Sequence, residues 1–289
     1  MTDNTLYTFG EEIDKQLQEP LRTVLVGRRL VAVPNTPRGL GITSVKWNVL
    51  AEMSSGMVGY TFSNTNEDTM NATPQTARTL IHYKDFLIDR GTYEAWKLNG
   101  EDFDTMVALS AAYVAAKVED QTILMGVKND GSNYDVSGLY AGAGNTYSTS
   151  EDFGTFGNAT IAVGGALDML AADDIPTNIP FNLALNPTQR GQLRVSRSTN
   201  GIREEPDVVA MLNGGEIIET TIVTAGTGML LPTPAVQRPY FDYWMVSDWK
   251  TELGMSSEHP DTGPINGRVY SAGRLRIKES KAIVQLTAI

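Results

Sequence analysis

The chain contains no cysteine and only two histidines, His82 and His259, among its 289 residues. The absence of cysteine excludes disulfide bonds, thiolate nucleophiles, cysteine-ligated zinc and iron–sulfur clusters. Histidine is the most common general base and metal ligand, and the two present here lie far apart in the sequence. The sequence therefore contains few of the residues that usually form catalytic or metal centres.

A membrane span, a signal peptide and a basic surface are also missing from the sequence. No apolar run approaches the roughly 18 residues that are needed to cross a bilayer. The first residues, MTDNTLYTFGEEIDK, lack the basic region and the apolar core of a signal peptide. The net charge of -11 argues against a surface built mainly to bind nucleic acid. We therefore expect a soluble, unexported protein with no membrane partner.

Catalytic and cofactor motifs are not found either. The GAG at 142–144 lacks the third glycine of a dinucleotide site, and KNDGSNYD at 128–135 lacks the spacing of a calcium loop. Glu204 and Glu205 are adjacent, so in a helix their side chains would point about 100° apart, which suits an acid–base pair poorly. We expect a protein that is not an enzyme, with no catalytic residue, no cofactor and no metal.

The N-terminal residues carry an apolar stripe. Phe9, Ile13, Leu17 and Leu21 recur at steps of four, which predicts one face of a helix that ends or kinks at Pro20. This stripe could pack on the body of its own subunit or receive another molecule.

A predicted short strand, GRRLVAV, follows the stripe, and this part of the chain is rich in arginine. Arginines so placed either contact phosphate groups at an interior surface or form ion pairs and solvated charges. The candidate basic residues are Arg22, Arg28, Arg29 and Arg38.

The clearest helix in the sequence spans residues 102–125. Val107, Val114 and Val118 share one face of it, and its many alanines allow neighbouring backbones to approach closely. Gly126 stands where the end of a helix favours a left-handed residue. We expect a long, buried spine helix.

Helices and strands alternate irregularly in the second half of the chain. NATIAVGGALDMLAADD predicts a helix and IPFNLALN a buried strand, while DVVAMLNGGEIIET predicts a helix that turns at a Gly-Gly pair into the strand EIIETTIV. GRVYSAGRLRIKESKAIVQLTAI predicts two closing strands joined by KESK. Because no regular βαβ rhythm is present, the fold class is α+β.

Residues 42–88 form a long excursion rich in predicted strands. Apolar and polar residues alternate in SVKWNVLAEM and again after the SSGM turn, which predicts an extended antiparallel arm. Each apolar side chain of this kind is stabilised by about 1.5–3 kcal/mol on burial, so we expect the arm to lie on an adjacent copy of the chain. The candidate inter-subunit residues are Trp47, Val49, Met53, Val58, Tyr60 and Phe62.

The order of elements, with VGRRLVAV, the spine helix followed by GLY, and LNGGEIIET, resembles Hong Kong 97-type shell proteins of tailed viruses and of encapsulin nanocompartments. The resemblance covers nearly the whole chain. It implies a capsid fold with an N-terminal helix, an extended β-arm, a peripheral domain and an axial domain. The implied regions are 1–41 (N-terminal arm, helix and first strand), 42–88 (β-arm), 89–131 with 239–289 (peripheral domain with the spine helix), and 132–238 (axial domain).

The resemblance also implies a function, and we interpret the chain first as a viral major capsid protein. That interpretation predicts an icosahedral virion shell around double-stranded DNA, assembled in the host cytoplasm from pentamers and hexamers. Its partners would be portal, minor capsid or decoration proteins, with non-specific contacts to packaged DNA. The alternative is an encapsulin-type compartment around a cargo enzyme. In encapsulins the N-terminal helix region holds a cargo peptide, and here Phe9, Ile13 and Leu17 could line such a groove.

Overall fold

The computed structural model describes residues 26–34, 39–50, 72–99, 106–129, 133–148, 150, 152–255 and 263–289. Within these ranges, no helix has both the length and the apolar character that a bilayer crossing requires. The helices are α1 Gly27–Leu30, α2 Arg90–Asn99, α3 Met106–Leu124, α4 Asn158–Ala172, α5 Pro187–Val195 and α6 Glu205–Met211, with a 3₁₀ turn at Ser280–Ala282. The strands are β1 Ser44–Leu50, β2 Ala72–Arg78, β3 Leu80–Ile88, β4 Gly126–Asn129, β5 Asn133–Ser137, β6 Asn145–Ser148, β7 Phe181–Leu185, β8 Ile217–Glu219, β9 Thr227–Pro232, β10 Phe241–Met255, β11 Ile265–Ile277 and β12 Val284–Thr287.

The predicted spine helix is α3, and it packs on an antiparallel sheet of order β10-β11-β3. Phe86 and Ile88 of β3 face the helix and are buried, as period-two alternation requires. The alanines on the facing side of α3 are buried too, so helix and sheet approach closely. Gly126 has a φ of 88°, in the left-handed region expected at the end of the helix.

A second, five-stranded sheet has the order β6-β12-β9-β7-β8 and carries its own core with α4. The strand predicted in IPFNLALN is β7, all of whose residues are buried. The Gly-Gly turn connects α6 to β8, which pairs in parallel with β7. The strand predicted over EIIETTIV is shorter than expected, because the chain turns away after Glu219.

The two closing strands lie in different sheets. β11 pairs with β10 and β3, whereas β12 pairs with β9 and β6 in the five-stranded sheet. The division into peripheral and axial domains stays a prediction, but the last strand, which we placed with the peripheral segment 239–289, shares the sheet of segment 132–238.

The prediction of a strand over GRRLVAV was wrong in its first half. Gly27–Leu30 is a single helical turn, whereas Val31 is extended. The turn forms because the first backbone N–H groups find a side-chain acceptor on α3. Only the second half runs alongside β10, where Tyr243 N donates to Ala32 O at 2.9 Å.

The arm was predicted over residues 42–88, and its end was placed too late: β3, Leu80–Ile88, pairs with β11 in the subunit's own sheet and packs on the spine helix. The described residues of the arm before β3 form a two-stranded ribbon of β1 and β2. The alternation predicted for β1 is present at its first residues, because Val45 is buried while Lys46 and Asn48 are exposed. Its partner β2 comes from the polar stretch after the predicted return strand, with Val45 opposite Ala77. The return strand predicted around residues 58–62 lies outside the described residues.

The core beside α4 contains a carboxylate with a specific structural role. Glu204 is fully buried and accepts hydrogen bonds from Thr160 N (2.8 Å), Thr160 Oγ1 (3.0 Å) and Ser196 Oγ (2.9 Å). The Thr160 N–H belongs to the first turn of α4, whose donors have no partner within the helix. Glu204 therefore joins α4 to the loop before α6.

We predict that Glu204→Ala lowers the free energy of unfolding by about 3 kcal/mol, because three donors would lose a charged acceptor in a buried site. Asp207→Ala, an exposed carboxylate in the first turn of the same α6, is the matched control and should cost less than about 1 kcal/mol. Guanidinium unfolding of the two variants checks this. Equal losses would show that Glu204 contributes no more than a surface charge.

Candidate functional site at the base of the N-terminal segment

The spine helix holds the start of α1 through one carboxylate. Val26 N donates to Asp120 Oδ2 at 2.9 Å and Gly27 N donates to Asp120 Oδ1 at 3.0 Å. A Cβ on Gly27 would lie 2.9 Å from Asp120 Oδ1, so a larger residue here would push the carboxylate away from the two backbone donors. The carboxylate thus supplies two acceptors to the start of α1, where the N-cap residue Val26 makes no side-chain cap bond.

The next residue makes a buried ion pair. Arg28 donates to Glu119 Oε1 through Nε (3.2 Å) and Nη2 (3.0 Å), and to Asp248 Oδ1 through Nη1 (2.6 Å). Glu119 is fully buried and also accepts from the Tyr243 hydroxyl at 2.9 Å. Arg28 therefore ties α1 to both α3 and β10.

A buried amide holds the chain just beyond α1. Gln237 donates from Nε2 to Leu30 O and to Pro232 O, each at 2.9 Å, and its Oε1 accepts from Ala32 N at 2.7 Å. Leu30 and Val31 lie in the core cluster that includes the end of α3 and the start of β10. We call residues 26–32 with these partners the anchor; it attaches the N-terminal segment to the spine helix and to both sheets.

Burial changes the proton affinity of the acids and bases here. Desolvation raises the pKa of Asp120 to about 7, although the two backbone N–H groups and Arg28 act in the opposite direction. Burial lowers the pKa of His82, and neither of its ring nitrogens has a hydrogen-bond partner in the part of the chain that the structure describes. Desolvation and the Glu119 carboxylate raise the pKa of Tyr243 well above its ordinary value.

The anchor is suited to holding a chain segment. The Asp120 carboxylate is occupied by backbone donors, and one Glu119 oxygen by Arg28 and Tyr243. Over the described ranges, no group of three or more histidines and carboxylates could bind a metal ion. The geometry therefore suits the attachment of residues 26–32 to the spine helix and to the two sheets.

The candidate arginines separate into different environments. Arg28 is in the anchor, where it pairs with buried acids, the ion-pair alternative for this residue. Arg29 is exposed, with Nη2 3.4 Å from Glu216 Oε1. Arg22 and Arg38 lie outside the described residues. An interior position for Arg29 stays a prediction.

The candidate arm residues are only partly described. Trp47 Nε1 donates to Ile277 O of its own chain at 3.1 Å, and the indole is half-buried beside the cluster of Val45, Val246 and Ala272. The root of the arm is therefore bound to its own subunit. Val49 lies farther along β1 and is half-buried. Met53, Val58, Tyr60 and Phe62 lie outside the described residues, so their inter-subunit contacts stay predictions.

Sequence reasoning missed the acids of the anchor. Glu119 and Asp120 are consecutive on the inward side of an alanine-rich helix, where charged side chains are almost never buried unless they are paired. Two consecutive acids on a buried helix face could have predicted such a site, because they need hydrogen-bond donors from another segment of the chain.

The fold is that of Hong Kong 97-type shell proteins. The virus-like particle protein of Pyrococcus furiosus superposes with a TM-score of 0.65 at 17% identity, covering 96% of this chain and 99% of that one. The capsid protein of Myoviridae phage XM1 superposes with a TM-score of 0.67 at 13% identity, covering 89% and 90% of the two chains. These likenesses confirm the α+β capsid fold.

The family follows from the sequence match. Residues 8–251 match the family model described as "Encapsulating protein for peroxidase", Linocin_M18, and the chain belongs to this encapsulin family of structural shell proteins. It is 24% identical over 275 residues to the diheme-cytochrome-encapsulin shell fusion protein of Kuenenia stuttgartiensis, covering 95% of this chain and 71% of that protein. The prediction that the chain is not an enzyme is confirmed.

Our first functional interpretation, a viral major capsid protein, was wrong, and so was the predicted location in a virion. The family match overturns both and supports the alternative of an encapsulin shell. The predicted portal, minor capsid, decoration and packaged-DNA partners depended on the viral interpretation and are not proposed further. The fold could not separate the two because phage capsids share it.

We predict that Asp120→Asn abolishes a pH dependence of stability. The native pKa of Asp120 is about 7, and its unfolded value is about 4. The native state therefore binds the proton more tightly, and this stabilisation is complete below about pH 4 and lost as pH rises through about 7. Relative to the variant, the wild type should lose about 2–3 kcal/mol of unfolding free energy between pH 5 and pH 8.

Chemical unfolding of both proteins across this range measures the difference. Because the pKa of His82 is lowered in the native state, its contribution to stability increases with pH and so opposes that of Asp120. His82 is present in both proteins, so this contribution cancels in the difference between them. A wild-type-minus-variant difference that stays constant with pH would contradict the assignment.

Proposed function

We propose that this chain is the shell subunit of an intracellular protein compartment, which assembles from copies of itself around a cargo enzyme. The observation that supports this most strongly is the encapsulin family match over residues 8–251. The Hong Kong 97-type fold supplies the self-assembling shell, with pentamers, and hexamers in larger particles, as the assembly units.

The proposed cargo is a peroxidase-type enzyme. The family description names a peroxidase as the enclosed protein, and the related Kuenenia stuttgartiensis shell is named as a fusion to a diheme cytochrome. Both names associate such shells with redox proteins. The chain itself, which has no cysteine, adds no thiol to the interior.

The proposed contact between subunits is the arm before β3, residues 42–79, lying on a neighbouring copy; β3 is excluded because it pairs with β11 of its own subunit. Support comes from the β1–β2 ribbon, whose strands pair only with each other within the described residues. A two-stranded ribbon is marginally stable in water on its own, and its free edges invite further association. Most of β2 is exposed in the isolated subunit, which leaves it available to a neighbour.

Assembly of the purified chain tests the proposal directly. We expect recombinant protein to form closed, uniform particles in negative-stain microscopy and to elute near the void volume in gel filtration. Co-expression with a peroxidase from the same genome should yield particles whose interior enzyme resists added protease. Stable monomers at high concentration would contradict the proposed function.

Within the same assay, we predict that Val49→Asp prevents particle formation, because it places a charge on the apolar face of the arm. Asn48→Asp puts the same charge on the exposed opposite face of β1 and should assemble normally. Circular dichroism checks that both subunits fold. Normal assembly of Val49→Asp would show that this part of the arm does not reach a neighbour.

A further inference from the structure

His82 of β3 is a buried histidine whose ring nitrogens are unpartnered. Its side chain is 3% exposed, and neither Nδ1 nor Nε2 has a hydrogen-bond partner within the described ranges. Buried polar groups in folded proteins nearly always have such partners, so both nitrogens need an explanation. Because side chains alternate along a strand, His82 lies on the same face of β3 as Phe86, which packs on the spine helix. His82 therefore points into the space between the sheet and α3.

A second unpartnered group lies directly opposite this histidine. The regular pairing of β3 with β11 places Ser271 across from His82. Ser271 is fully buried, and its Oγ has no hydrogen-bond partner among the residues that the structure describes. Side chains opposite each other in an antiparallel pair share a face, with their Cβ atoms about 4.5–5.5 Å apart. The imidazole and the hydroxyl are therefore neighbours in the same layer.

The third group comes from the spine helix. Glu119 Oε1 accepts from Tyr243 and Arg28, while the buried Oε2 has no partner in the described part of the chain. A Cβ on Gly273 would overlap the Tyr243 hydroxyl. Gly273 is two residues beyond Ser271 and on the same face of β11. The bond from Tyr243 to Glu119 therefore lies beside Ser271, and the free carboxylate oxygen is close to the two unpartnered groups of the sheet.

These three groups have complementary hydrogen-bonding capacities. The Glu119 carboxylate only accepts, a neutral histidine has one donor and one acceptor, and the Ser271 hydroxyl does both. None of the unpartnered atoms bonds to another, so a bridge is needed between them. A water molecule both donates and accepts, and a buried water typically makes about three hydrogen bonds. The number and the kind of these partners match that requirement.

Burial excludes a larger ligand and a reaction at this place. Serine, histidine and glutamate are also the components of nucleophilic triads. Here the three side chains are at most 3% exposed, so no substrate could reach them. A water molecule is small enough to be enclosed as the subunit folds, and it is the occupant that fits.

We propose that His82, Ser271 and Glu119 enclose at least one water molecule, which joins the spine helix to β3 and β11, and that His82 is neutral in this site. The water donates to Glu119 Oε2 and to one His82 nitrogen, and it accepts from Ser271 Oγ. The site belongs to the single subunit and does not require assembly.

The neutral form of His82 makes this contact sensitive to acid, because an imidazolium has only donors and cannot accept from the water. Burial lowers the pKa of His82; the Glu119 carboxylate opposes this effect and Arg28 adds to it. The native state therefore binds the proton less tightly than the unfolded chain, and this contribution to stability is lost as pH falls below about 6.5. The charged and titratable groups around the site are Glu119 and Asp120 of α3, Arg28 of α1, Tyr243 and Asp248 of β10, and Lys84 of β3.

A structure at about 2 Å resolution tests the site directly. We expect density for a water within about 2.6–3.2 Å of a His82 nitrogen and of Ser271 Oγ or Glu119 Oε2. The same density should be lost in His82→Leu. Direct bonds among the three side chains, or no density between them, would overturn the proposal. A crystal of unassembled subunits serves as well as images of particles, so a failure of the shell function would not be confused with a failure of this site.

Guanidinium unfolding at pH 7.5 is a second test. Leucine cannot bond to the water, so His82→Leu would leave Ser271 and Glu119 with incomplete partners, and we expect the unfolding midpoint to fall by about 0.3–0.5 M. The matched variant His82→Gln keeps a donor and an acceptor and should lose less than half as much. An unchanged or higher midpoint for His82→Leu would mean that the site is dry, because removing an unpartnered polar group from a core is neutral or stabilising.

The same pair of proteins tests the protonation state of His82. The difference in midpoint between the wild type and His82→Leu should shrink between pH 7.5 and pH 5.5, because only the wild type has to keep this histidine neutral. Asp120 is present in both proteins, so its own titration cancels. A difference that stays constant or grows as pH falls would contradict a neutral His82.

Discussion

The carboxylate of Asp120 and its two backbone donors form the contact on which the helical turn at Gly27–Leu30 depends. A single helical turn has too few internal hydrogen bonds to persist alone. Here the turn forms because α3 supplies acceptors at its start, and because Arg28 adds an ion pair to Glu119 immediately afterwards. Local structure at Gly27–Leu30 is thus a product of long-range contacts.

The same region also connects the two sheets. Gln237 bridges the chain after α1 to Pro232 at the end of β9, while Tyr243 of β10 bonds to Ala32. Since β9 belongs to the five-stranded sheet and β10 to the three-stranded one, a short stretch of chain secures both. The closing strands do the same from the other end, because β11 and β12 lie in different sheets. A shell subunit, which has to meet neighbours in a fixed geometry, benefits from this rigidity.

The sequence predicted elements whose pattern is local and missed those decided by distant partners. The spine helix and β7 followed from apolar spacing, and the position of Gly126 followed from the needs of a helix end. By contrast, α1 was assigned as a strand because its acceptors come from α3, more than ninety positions away. β2 was missed because its sequence, ATPQTAR, has no apolar alternation, and its place is set by pairing with β1. The choice between virion and compartment had no physical marker, because the two classes share the fold and differ in what they enclose.

The contacts at the start of the arm, around Trp47, also determine where the far end of β1 lies. Trp47 is fixed to the carbonyl of Ile277, while Arg276 stacks on Trp244 with the guanidinium carbon 4.4 Å from the ring centre. A seven-residue strand such as β1 is about 23 Å long, so a rotation of about 10° at one end displaces the other by about 4 Å. That displacement exceeds what a hydrogen-bonded partner tolerates. For the proposed arm contact, the fixed position of the Trp47 indole at the start of β1 therefore determines the angle at which one subunit would meet the next.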